Sequence, residues 1–101
     1  MAVSPEEEEA VRRAGDPDRL LPTENPQTGL AEDARHWRIV YRELLTFKQG
    51  LLTVADRGLA EIEHELKVTD TATLALLRAQ NERLRRRLEF WESRHQELST
   101  K

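Results

Sequence analysis

Residues 37–66, WRIVYRELLTFKQGLLTVADRGLAEIEHEL, contain no proline and place apolar side chains at intervals of three and four. Residues three and four apart are neighbours on one face of an α-helix, so this spacing reads as helix. Two seams run side by side. The first is Trp37, Val40, Leu44, Phe47, Leu51, Val54 and Gly58; the second is Tyr41, Leu45, Lys48, Leu52, Ala55, Leu59, Ile62 and Leu66. A helix that is apolar over two adjacent seams needs two neighbours. The proline-free stretch reaches back to about Ala31, so a helix is predicted over about 31–66.

Lys67, Val68 and Thr69 interrupt the pattern, and Asp70 is a suitable cap for a second helix over about 70–99. The seam of that helix is a heptad repeat: Leu74, Leu77, Asn81, Leu84, Leu88, Trp91, His95 and Leu98. A turn at 67–69, centred on Val68, folds the two helices into an antiparallel hairpin. In that register Ile62 faces Leu74, Leu59 faces Leu77, Ala55 faces Asn81, and Leu52 faces Leu84. Lys48 then meets Leu88, Leu45 meets Trp91, and Tyr41 meets His95, to which it would hydrogen-bond.

The hairpin uses only the second seam. Trp37, Val40, Leu44, Phe47, Leu51, Val54 and Gly58 are left as an apolar stripe, and stripes of that size mark interfaces. The predicted fold is therefore all-α: a hairpin of two long helices dimerising through this stripe into a four-helix bundle. The competing arrangement is a parallel zipper of the last helix, with Asn81 at a core position where it would fix the register.

Residues 1–30 form a separate acidic arm. Ser4-Pro5 followed by Glu6–Glu9 starts a short helix over 5–14, with Gly15 as its stop. All four prolines lie in the first 26 residues, and Pro17, Pro22 and Pro26 make residues 15–29 a loop. Leu20 and Leu21 are its one apolar pair. Either they dock on the helices or the arm is mobile.

The chain has 101 residues, 38% hydrophobic and 35% charged, with no cysteine, so disulfides and thiolate metal sites are excluded. No apolar run approaches the roughly 18–20 residues of a membrane span. The acidic start is unlike a signal peptide, which points to a cytoplasmic location. Thirteen Arg against three Lys suggest a GC-rich bacterial gene. The net charge of −3 is uneven: −6 over residues 1–33, zero over 34–70 and +3 over 71–101.

Three groups of residues carry candidate chemistry. Glu61/His64 and Glu92/His95 are both Glu-x-x-His, the spacing of a di-metal carboxylate bundle, but they sit at opposite ends of the hairpin and lack the further inward Glu such a site requires. Arg78, Arg83, Arg85, Arg86, Arg87 and Arg94 form a basic patch that could serve nucleic acid or face the acidic arm. Glu61, Glu63, Glu65 and Asp70 make an acidic hairpin tip. In architecture alone, that tip resembles the coiled-coil factors that enter the secondary channel of bacterial RNA polymerase. No nucleophile–base pair or phosphate loop is present. The expectation is a homodimeric, non-enzymatic interaction or scaffold module with an unidentified protein partner and no cofactor. The alternatives are a regulator of the transcription machinery and a di-metal protein.

Overall fold

The computed structural model describes residues 4–62 and 69–100, with side chains at 4–55, 57 and 74–100. Three helices follow in order: α1 (Pro5–Ala14), α2 (Ala31–Ile62) and α3 (Thr69–Ser99). There is no strand among the described residues. α2 packs along α3 as a hairpin, and α1 packs on α3. No described helix is long and apolar enough to cross a membrane. The acidic tip residues Glu61, Glu63, His64, Glu65 and Asp70, with Leu59, Ile62 and the predicted turn at 67–69, lie outside the described side chains.

α1 forms where capping and charge both favour it. The Ser4 side chain accepts from the Glu7 amide at 3.1 Å, Pro5 takes the first turn, and Glu6, Glu7 and Glu8 face the positive end of the helix dipole. Its end is pinned by packing. Ala14 is buried, and a Cβ on Gly15 would lie 3.4 Å from Cβ of Ala79 on α3. Gly15 keeps an ordinary φ of −95°, so it serves close approach here, with no left-handed turn.

The core sits at the open end of the hairpin. Ala34, Trp37, Tyr41 and Leu45 of α2 meet Leu84 and Trp91 of α3, with Leu21, Val40, Leu44, Leu88 and Leu98 packed around them. Tyr41 and Trp91 are fully buried. Leu74 is buried as well, and Leu52 and Leu77 are half-buried.

The register departs from the predicted one. Tyr41 comes together with Trp91, about one helical turn short of His95, and its hydroxyl is directed to Glu24. Asn81 donates to the carbonyl of Lys48 at 3.3 Å, as well as to Leu77 at 2.8 Å, and does not stand opposite Ala55. The reason is physical. A heptad seam slides by a turn with little change in apolar contact, so polar contacts choose among the phases: Asn81 on the Lys48 carbonyl within the hairpin, and Tyr41 and Trp91 on Glu24 of the arm.

Candidate interaction surface

Glu24 fastens the arm to the hairpin. The chain turns at Leu21–Glu24, where the Glu24 amide bonds back to the Leu21 carbonyl at 3.1 Å. Thr23 takes a φ of 68° in that turn. The left-handed region costs a β-branched residue about 1–2 kcal/mol. The turn carries the Glu24 side chain into the interface between α2 and α3, where it is buried.

Four donors converge on that carboxylate. The Leu21 amide reaches Oε1 at 2.9 Å, and the Tyr41 hydroxyl donates to the same oxygen. Trp91 Nε1 reaches Oε2 at 2.7 Å, and the Arg87 guanidinium donates to Oε2 at 2.5 Å. Burial works to raise the Glu24 pKa, but bonds from Tyr41, Leu21, Arg87 and Trp91 outweigh it and hold the group below its usual 4.5. Tyr41 moves the other way. Burial, then its bond to Glu24 and the charge of Glu24, push it up to about 12.

Three arginines of α3 extend the clamp by taking carbonyls of the arm. Arg83 donates to Arg19 at 3.0 Å, Arg87 to Pro17 at 3.4 Å, and Arg94 to Thr28 at 2.9 Å. Phe90 lies against the guanidinium of Arg87, 4.6 Å from ring centroid to Cζ, as a cation–π lid. Buried Thr28 closes the arm onto α2: its hydroxyl accepts from the Leu30 amide at 3.2 Å and donates to Asp33 at 2.7 Å. The predicted basic patch is thus divided. Arg83, Arg87 and Arg94 hold the arm, whereas Arg85 and Arg86 lie on the exposed side in ion pairs with Glu82 and Glu89. Arg78 is exposed. An open groove of about 490 Å³ beside the clamp mixes Arg86 and Arg94 with Asp18, Glu89 and Glu97, so neither sign of charge dominates it.

The other feature is what the arm leaves bare. Trp37, expected on the uncovered stripe, is drawn into the core at 9% exposure, and Val40 and Leu44 are half-buried against it. The stripe is therefore shorter than predicted. Phe47, Leu51 and Val54 remain at 62%, 39% and 68% exposure on one face of α2. Gly50 lies on the same side, and a Cβ added there meets nothing within 4 Å. Glycine inside a helix costs about 0.5–1 kcal/mol relative to alanine, and no neighbour among the described residues requires it here. The surroundings of Gly58 are outside the described residues.

The metal candidates are not brought together by the described structure. Glu92 is exposed and faces Arg42 at 3.5 Å, His95 is half-buried, and the side chains of Glu61 and His64 are not described. Among the described residues no group of three His, Cys, Asp or Glu is placed to hold a metal ion.

Glu24, Thr28 and the carbonyls of Pro17 and Arg19 were not singled out by the sequence. One signal was present. Arg83, Arg87 and Arg94, spaced four and seven apart, share a helix face that Arg85 and Arg86 do not. Such a cationic row beside an apolar seam calls for an acidic partner. Comparison with family models, curated proteins and solved structures gives no match to this chain.

Proposed function

We propose that this chain is a non-enzymatic interaction module: a strapped helical hairpin that pairs with a second copy through the outer face of α2, forming a four-helix bundle that offers its charged surface to a protein partner. The observation that carries the reading is the bare row of Phe47, Leu51 and Val54, contiguous on one face of α2, whereas the other exposed large apolar residues among those described, Leu20, Leu30 and Phe90, do not continue that row. Burying such side chains stabilises by roughly 1.5–3 kcal/mol each, and a second copy supplies the matching apolar face. Sedimentation equilibrium tests it. The parent should run at twice the 11.7 kDa chain mass. Phe47→Glu with Val54→Glu should run as the single chain with unchanged helical circular dichroism. A parent that stays at the single-chain mass at every concentration contradicts the proposal.

The reading as a regulator of the transcription machinery draws less support. Three of the six arginines it would use are engaged by the arm, two are paired with glutamates, and the chain is net acidic. A salt-sensitive mobility shift with DNA or RNA would favour that reading instead.

A further inference from the structure

The outer face of α2 also carries a charge pattern that fixes how two copies meet, an inference that rests on the self-association proposed above. In heptad terms Leu44 and Leu51 occupy one apolar position, and Val40, Phe47 and Val54 the other. Glu43, Gly50 and Arg57 then share one flanking edge, seven residues apart, or about 10 Å along the axis at each step. Glu43 and Arg57 are exposed, and the space over Gly50 is open. The opposite edge is committed to the hairpin: Tyr41 is buried in its core, and the Lys48 carbonyl receives Asn81.

We propose that a second copy of this chain packs antiparallel along α2 about a twofold axis at Gly50, pairing Glu43 of each copy with Arg57 of the other. Like edges face each other in an antiparallel helix pair, so a glycine at the axis lies opposite itself and lets the backbones approach. A carboxylate seven residues before it then meets a guanidinium seven residues after it, twice, by symmetry. The apolar layers fall into step, with Leu51 beside the partner's Phe47 and Leu44 beside the partner's Val54. A parallel pairing would set Glu43 against Lys48 on the edge already packed on α3, and would leave Arg57 facing no acidic group. Charge complementarity therefore selects a second copy in the antiparallel sense as the occupant of this face.

The test measures the dimer dissociation constant of the full chain by sedimentation equilibrium for Glu43→Arg, Arg57→Glu and the two together. Each single reversal should weaken pairing by about tenfold, because it places two like-charge pairs in the interface, and the double reversal should return to within about threefold of the parent. The chain has no cysteine, so introduced thiols report without interference. With a short bis-maleimide linker, Glu43→Cys mixed with Arg57→Cys should cross-link, and neither should cross-link alone. A dimer that ignores the reversals, or Glu43→Cys cross-linking to itself, overturns the antiparallel register and leaves self-association standing. A parent that is monomeric throughout removes the underlying reading as well.

Discussion

Glu24 and Arg87 are 63 residues apart in sequence and form a buried ion pair, with both side chains almost wholly withdrawn from solvent. Each is costly to bury alone; the Glu24 carboxylate is met by Arg87, Tyr41, Trp91 and the Leu21 amide, and the Arg87 guanidinium by Glu24 and the Pro17 carbonyl. The pair ties an irregular arm to the open end of the hairpin. The row of Phe47, Leu51 and Val54 on α2 lies outside this tie and stays exposed.

Removing one member strands the other. Glu24→Ala and Arg87→Ala should each destabilise the chain by about 3–5 kcal/mol in urea unfolding. The double change Glu24→Leu with Arg87→Met should cost far less than the two losses added, because no uncompensated charge stays behind. Simple additivity would contradict the clamp.

Tyr41 is the one tyrosine in the chain, so tyrosinate absorbance reads it directly. Its midpoint should lie near 12 in the folded protein against 10 for an ordinary tyrosine. A folded-state pKa raised in this way stabilises fully below pH 10 and loses that contribution as pH climbs from 10 through about 12. Tyr41→Phe should flatten the alkaline limb of the stability profile. A midpoint near 10 would place the hydroxyl away from Glu24.

Glu24 acts on the acid side with the opposite sign. Its folded-state pKa is lowered, so its contribution is present above about pH 4.5 and is lost as pH falls through the folded value. Glu24→Gln should lower stability at neutral pH and flatten the acid limb. An acid limb as steep as the parent's would assign the titration to other carboxylates.

Gly50 separates helix stability from pairing. Gly50→Ala should stabilise α2 by about 0.5–1 kcal/mol in dilute solution, where single chains dominate, because its Cβ enters open space. At high concentration the same methyl should weaken self-association. An alanine that strengthens both would mean no backbone approaches there.

Much of this fold was legible because helix periodicity is a strong signal. The spacing from Trp37 to Ile62 and from Leu74 to Leu98 announces two long helices, and Ser4-Pro5 with its acidic run announces a third. Register was not legible, because heptad seams match one another at several offsets and the deciding contacts, Tyr41 and Trp91 on Glu24, are polar. The clamp was hidden for a related reason. Pro22-Thr23-Glu24-Asn25-Pro26 has no periodicity, and nothing local distinguishes Glu24 from the exposed carboxylates around it. Trp37 was misplaced on the outer stripe because the wide apolar face of α2 is divided between the core and solvent by where the hairpin lies.

Phe47 and Phe90 are the two phenylalanines of the chain, one on the bare face of α2 and the other over Arg87 on α3. Fluorine NMR of protein labelled with para-fluorophenylalanine therefore gives two reporters. On dilution the Phe47 resonance should move along a dimer–monomer isotherm while that of Phe90 stays fixed. A Phe47 resonance that stays unchanged from micromolar to millimolar protein would contradict pairing through α2.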